Sequence, residues 1–237
     1  MSTMFQPLYK QVYDVLLQRL KDGVWRAYDL IPSEFALADE LGVSQGTVRK
    51  ALNQMVDEQL LLRQQGKGTY VAGHTQESSL FRFFRWREPN GESLVPSTKV
   101  VSSKRRLATK SEQKALSLKH GESVVELVRL RSLLDKPALL EFVIQPLSIF
   151  PDIDTHIDLP NSLYTLYQEQ YGICVVSVRD QLRATSLPAK YAHYLGVPAG
   201  EPVLMVERAS INIDGRTVEW SHAYSSTEQF VYLVDLK

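Results

Sequence analysis

Arg129 and Arg131 lie two residues apart in a β-rich stretch, residues 124–133. On a strand that spacing turns both guanidinium groups to one face. Two planar forks converging on one spot make a bidentate site for a phosphate or carboxylate. A plainer use of the pair stays open: with Asp135-Lys136-Pro137 as the turn, Arg131 falls opposite Glu141 and forms a cross-strand ion pair. Ser162 opens a helix that runs to Gln170 and stops before Gly172. The exposed N–H groups of such a helix start attract anions, and Ser162 also suits simple N-capping. A second set of residues has different chemistry. Gln45, Thr47, Arg49 and Lys50 share one short helix, and Gly66-Lys67-Gly68 forms a basic, glycine-lined turn. Amide, hydroxyl and cationic groups in that array suit the base edges and phosphates of a nucleic acid.

The elements that must position the second set are legible. Ser33 caps a helix carrying Phe35, Ala36, Leu37 and Leu41, which stops at Gly42. Ser44 caps the next, with Val48, Leu52, Met55 and Val56 at helical spacing. Two short helices around a glycine-containing turn form the helix-turn-helix pattern, whose second helix enters the DNA major groove. Leu60-Leu61-Leu62-Arg63, the turn at Gly66-Lys67-Gly68 and Thr69-Tyr70-Val71 then predict a hairpin wing. Upstream, residues 6–22 read as an amphipathic helix with Leu8, Val12, Val15, Leu16 and Leu20 on one face.

The first set sits in a duplicated region. Thr109-Lys110-Ser111-Glu112 is a capping box opening a helix through Leu118. A strand over 124–133, a turn and a strand over 138–145 follow. The unit recurs as a helix from Ser186-Leu187-Pro188 to Leu195-Gly196, strands over 203–213 and 217–224, and a turn at Asp214-Gly215. Arg208 then corresponds to Arg129 and Asp214 to Asp135. Such repeats pair into one sheet, with a ligand cavity between the halves. Residues 74–93 read as a linker whose centre, Leu80-Phe81-Arg82-Phe83-Phe84-Arg85-Trp86-Arg87, interleaves aromatics and arginines. Such a run either stacks on bases or forms a strand that packs its aromatics on the second domain.

The 237 residues allow one large domain or two ordinary ones. A single cysteine, Cys174, excludes an intrachain disulfide and fits a reducing cytosol as a small buried hydrophobe. No apolar run approaches the roughly 18 residues of a membrane span and no signal-peptide layout opens the chain, so a soluble cytoplasmic protein is expected. Net charge is zero overall, and residues 1–72 carry eight Lys and Arg against eight Asp and Glu. DNA affinity must therefore come from the placement of Arg49, Lys50, Arg63 and Lys67, with weak, salt-sensitive non-specific binding. The five histidines show no metal-ligand spacing. No phosphate loop, nucleophile elbow or paired catalytic carboxylates appear, so neither a metal, a cofactor nor a catalytic residue is expected.

Residues 7–72 resemble the winged helix-turn-helix of the GntR superfamily of bacterial transcription regulators. The match rests on Pro7-Leu8-Tyr9, Ile31-Pro32-Ser33-Glu34, Val43-Ser44, Thr47-Val48-Arg49-Lys50-Ala51-Leu52 and Gly66-Lys67-Gly68-Thr69-Tyr70-Val71. Two departures are Phe35 and Gln45, where the family usually carries DNA-contacting arginines. Most of residues 94–230 resembles the UTRA effector domain of the HutC subfamily, through Glu122, Arg129, Arg131, Lys136-Pro137, Glu141, Ser162-Leu163-Tyr164, Tyr171-Gly172, Leu195-Gly196-Val197, Glu207-Arg208, Asp214-Gly215 and Val218-Glu219.

The resemblance implies an α+β fold: a winged helix-turn-helix domain over 1–73, a linker over 74–93, and a UTRA, chorismate-lyase-like α/β domain with an antiparallel sheet over 94–237. It implies a homodimeric regulator, a repressor in the first instance. Ser33, Glu34, Ser44, Gln45, Thr47, Arg49, Lys50, Gly66, Lys67 and Gly68 would meet a double-stranded DNA operator. A small effector bearing a phosphate or carboxylate would bind at Arg129, Arg131, Glu141, Ser162, Tyr164, Glu219 and Tyr224, the last two matching positions that reach sugar hydroxyls or amides. Replacement of the family's Arg-Gly-Asp-Arg run by Ser225-Ser226-Thr227-Glu228-Gln229, with Phe81, Phe83 and Phe84 in the linker, makes the expected pocket wall more aromatic. Two other readings stand beside this one: a chorismate-lyase-like enzyme acting on a small acid, and a regulator with a vestigial pocket.

Overall fold

The computed structural model describes residues 6–156 and 159–235. The chain divides into two compact units, Met1–His74 and Thr75–Lys237. The first holds helices α1 (Leu8–Lys21), α2 (Glu34–Leu41) and α3 (Gln45–Asp57), then strands β1 (Leu61–Gln64) and β2 (Gly68–Val71). Ser33 Oγ caps α2 through the Ala36 N–H at 3.2 Å, and Ser44 Oγ caps α3 through the Thr47 N–H at 3.2 Å. Gly42 ends α2 in the left-handed region at φ 64°, which lets the chain reverse into α3. Leu16, Leu37, Val48, Leu52, Met55 and Leu61 form the buried centre. On α1 only Val12 and Leu16 are buried, while Leu8 and Val15 are exposed, so its apolar face is wider than the core it meets.

The second unit holds α4 (Gln76–Phe83), β3 (Trp86–Arg87), β4 (Ser97–Leu107), α5 (Lys110–Leu116), β5 (Ser123–Leu133), β6 (Lys136–Pro146), α6 (Leu163–Tyr171), β7 (Val175–Ser186), α7 (Ala192–Leu195), β8 (Pro202–Asn212), β9 (Thr217–Ser225) and β10 (Val231–Tyr232). Six antiparallel strands form one sheet in the order β4-β5-β6-β9-β8-β7, and β3 pairs separately with β10. The duplication is visible as two three-stranded halves, β4-β5-β6 and β7-β8-β9, joined where β6 meets β9.

Strand alternation gives this sheet two different faces. Phe83 of α4 and Leu163, Tyr164 and Tyr167 of α6 cluster with Val125, Leu127, Val143 and Val218 on one face. Val128, Leu140 and Phe142 pack with Leu187 and Leu195 on the other, where α7 lies, and Val124 and Ile144 pack with Leu116 of α5.

The hairpin turn differs from expectation. Leu133 pairs Lys136, so the two-residue turn is Leu134-Asp135, both at positive φ (48° and 60°). An irregularity between Arg131 and Ser132 then resets the register so that Arg129 faces Glu141 and Arg131 faces Leu139. The expected Arg131–Glu141 opposition is therefore replaced by Arg129–Glu141. The aromatic-arginine run also departs from a strand. Thr75 and Ser78 form a capping box that opens α4, and Phe83, Phe84 and Trp86 are buried within the second unit. Arg82 donates to the Val176 carbonyl, and buried Arg87 donates to the carbonyls of Phe84 and Trp86. The run is structural in this unit except at Phe81, which is 74% exposed. No helix among the described residues is long and apolar enough to cross a membrane.

Candidate functional site

In the second unit a cavity of about 40 Å³ lies on the sheet face covered by α4 and α6, room for roughly three waters or one small oxyanion group. Arg129, Arg131 and Glu141 reach it from β5 and β6, Arg208 from β8, Glu219 from β9, and Ser162 and Tyr164 from the start of α6. Ser79, Leu80, Phe83 and Phe84 close it. Six of the seven expected effector residues are thus brought together. Tyr224 is not. Glu219 and Tyr224 are five positions apart on one strand, which sends them to opposite faces, and Tyr224 packs against Phe142, Tyr191 and His222 beyond the sheet.

The charges of the cavity are unequally matched. Arg129 donates through Nε and Nη2 to Glu141 Oε2 at 3.0 and 2.6 Å. Arg208 forks onto Asp180 of β7 with two bonds of 2.7 Å. Arg131, 6% exposed, makes no ion pair among the described residues, and its Nε has no hydrogen-bond partner. Its Nη2 reaches the Asn161 carbonyl at 3.4 Å, and the guanidinium lies 4.7 Å from the Phe84 ring. Burial pushes Arg131 down to about 10, and the positive charges of Arg129 and Arg208 act in the same direction against Glu141. Burial would raise Glu141, but Arg129 and Arg131 outweigh it and hold the carboxyl below its usual range. Glu219 is pushed the other way, by burial first and by Glu141 as well, against hydrogen bonds from Tyr167 and Ser210.

Ser162 occupies the N-cap of α6, yet its side chain makes no cap hydrogen bond. Gln76 of α4 serves there instead: its Oε1 accepts from the Ser162 N–H at 2.7 Å and its Nε2 donates to the Ser162 carbonyl at 3.2 Å. Tyr164 Oη meets Ser210 Oγ at 2.8 Å, and Ser210 in turn donates to Glu219. Arg208 and the α4 wall were absent from the sequence-derived set. The repeat aligns Arg208 with Arg129, whereas the start of α4 at Thr75 lies inside the stretch that reads as a linker.

In the first unit the wing's tip is built by Gly66 (φ 72°) and Gly68 (φ 118°), with Lys67 exposed between them. Glu34, at the start of α2, binds three side chains. Its Oε2 accepts from Arg49 Nε at 2.8 Å and from Gln45 Nε2 at 3.3 Å, and its Oε1 from Arg63 Nη2 of the wing at 2.9 Å. One carboxylate therefore ties α2, α3 and β1 together and leaves other N–H groups of both arginines outward. Lys50 lies 4.0 Å from the Tyr9 ring of α1, and the Thr47 and Ser44 hydroxyls meet at 2.8 Å. Ser33 is taken up with capping α2.

Comparison with known proteins gives concordant matches along the chain. Residues 8–71 match the model for bacterial regulatory proteins of the gntR family, and residues 91–231 match that of the UTRA domain. The mannosyl-D-glycerate transport/metabolism system repressor MngR of Escherichia coli is 27% identical over 228 residues, covering 96% of this chain and 95% of MngR. The solved structure of the regulator YydK from Bacillus subtilis superposes with a TM-score of 0.59 at 20% identity, covering 95% of this chain and 99% of that one. The ligand-binding domain of a GntR-family regulator from Bordetella bronchiseptica gives 0.60 at 25% identity, covering 66% of this chain and 98% of the other.

Proposed function

Since the chain belongs to the HutC subfamily of the gntR family of bacterial transcription regulators, with a UTRA domain as its second half, we propose that it is a dimeric repressor whose operator affinity is set by a small anionic metabolite held beside Arg131. The observation that carries this reading is an incompletely matched guanidinium: Arg131 is buried at the cavity, makes no ion pair among the described residues and leaves Nε without a hydrogen-bond partner, with Glu141 acting on it only through its charge. A buried charge left that way is costly, and an incoming phosphate or carboxylate removes the cost. The start of α6 adds a partial positive charge on the same side. The relative MngR is by name a repressor of mannosyl-D-glycerate transport/metabolism, and a glycerate carries a carboxylate. The family is one of transcription regulators, which leaves the lyase reading without support.

In the first unit Gln45, Thr47 and Arg49 on α3 serve as the groove-facing residues, and Gly66, Lys67 and Gly68 serve as the wing's contact with the backbone. Ser33, Ser44 and Glu34 act one step back, holding helix starts and arginines in place. Lys50 contributes a phosphate contact from its position over Tyr9. Effector binding changes the population of DNA-competent dimers.

A thermal-shift screen of small phosphates, phosphonates and carboxylates tests the effector half. A true ligand at about 100 times its dissociation constant stabilises the protein by about 2.7 kcal/mol. The same compound must alter operator retention in a gel-shift assay, and Arg131→Ala must abolish both effects. If no compound shifts the wild type, while Arg131→Ala still responds to inducing conditions in cells, the anion cavity is the wrong site.

A further inference from the structure

Gln45 and Phe35 stand at the starts of neighbouring helices in the first unit. Gln45 is the first residue of α3, and in a helix-turn-helix the N-terminal residues of the second helix contact base edges. Its Nε2 is drawn toward Glu34 Oε2 at 3.3 Å. The amide is thereby fixed at its nitrogen end, with Oε1 and the second N–H left for another partner. An amide that offers one acceptor and one donor side by side matches adenine, whose major-groove edge offers the N6 donor and the N7 acceptor. Guanine presents two acceptors there and leaves the amide oxygen unpaired.

Phe35, the second residue of α2, is 70% exposed and lines the same open hollow as Gln45. The ring is therefore open to a partner. Its chemistry fits the C5-methyl group of thymine, the one apolar feature of the major groove. We infer that the two residues form one reading element for an A·T pair in each half-site, with adenine on the Gln45 amide and a thymine methyl against the Phe35 ring. The inference rests on the DNA-reading role of the first unit and adds what it reads.

The experiment is selection of bound duplexes from a randomised pool by the full-length protein, run for wild type, Gln45→Arg and Phe35→Ala. Wild type should enrich A·T at one symmetry-related position in each half-site. Gln45→Arg should convert that position alone to G·C, with at least about fivefold discrimination. Replacing thymine by uracil in the selected site should weaken wild type about fourfold, the worth of one buried methyl, and leave Phe35→Ala unaffected. An unchanged preference in Gln45→Arg, or equal sensitivity of Phe35→Ala to the missing methyl, overturns the inference while leaving the DNA-reading role intact. Failure of wild type to enrich any sequence overturns that role itself.

Discussion

Arg129 and Glu141 stand directly opposite each other on neighbouring strands, and both of the bonds between them end on one oxygen, Glu141 Oε2. Two residues along the same strand, Arg131 has an apolar residue opposite it and no acid. The same side-chain type is therefore structural at one position and without a bonded acid at the next. Arg129→Met strands a buried carboxylate and is expected to cost about 3–5 kcal/mol. Arg131→Met removes a buried charge that has no bonded acid and leaves Glu141 its bonds from Arg129, so it should leave stability unchanged or raise it by up to about 3 kcal/mol. Urea unfolding followed by tryptophan fluorescence compares them. A larger loss for Arg131→Met would show that the assignment of partners is reversed.

The Glu34 clamp yields a prediction about DNA. Arg49→Ala should weaken operator binding by about 1–3 kcal/mol. Glu34→Gln removes the anchor for Arg49 and Arg63, whose side chains are 54% and 40% exposed. Pairs that open to solvent contribute at most about 1 kcal/mol to stability, so the variant should fold normally and still bind the operator more weakly. Footprinting and thermal melts of the same preparations separate the two effects. Tighter operator binding by Glu34→Gln would mean that the carboxylate restrains the arginines from DNA.

The wing depends on one glycine. A Cβ on Gly68 lands 2.6 Å from Leu30 Cδ1, at a φ of 118° that L residues rarely adopt. Gly68→Ala should therefore cost on the order of 1–3 kcal/mol of backbone strain, together with loss of operator affinity. Gly66 has nothing within 4 Å of such a Cβ, so Gly66→Asn, suited to positive φ, should be much milder. Equal losses in the two variants would mean that the φ of 118° at Gly68 costs no more than the left-handed φ at Gly66.

How much of this was readable varied with the physical signal. The reader was legible because Ser33, Ser44, Gly42 and the Gly66-Lys67-Gly68 turn each have a local reason to be where they are. The repeat was legible through Arg129 and Arg208, although the partners differ: Arg129 draws its acid from β6, and Arg208 draws Asp180 from the edge strand β7. The Arg131–Glu141 opposition failed because a leucine at positive φ, Leu134, occupies the turn, which no propensity favours. Strands β4 and β7 went unread since both are sheet edges exposed along much of their length, leaving no strict apolar alternation. The separation of Tyr224 from the cavity is legible in the sequence, because its odd spacing from Glu219 excludes a shared face.

The last prediction concerns acid stability. His222 stacks on Phe142 at 4.7 Å with 6° between the rings, and its Nδ1 is buried without a partner. Burial holds its pKa below the ordinary 6.5, although Glu126, Glu207 and Glu112 pull upward; Arg106 acts with burial. The unfolded chain therefore takes up the proton more readily than the folded one. Stability is full above the unfolded value and falls as the pH drops below about 6.5, where the unfolded histidine becomes protonated. Carboxylates such as Asp180, held low by Arg208 against burial, add their own losses, but only from about pH 5 downward. His222→Phe keeps the ring stack and removes the titration. Between about pH 7.5 and pH 5.5 its urea midpoint should fall less than that of wild type. Parallel pH profiles for the two proteins would mean that His222 takes up its proton as readily in the folded chain as in the unfolded one, and that its burial carries no electrostatic cost.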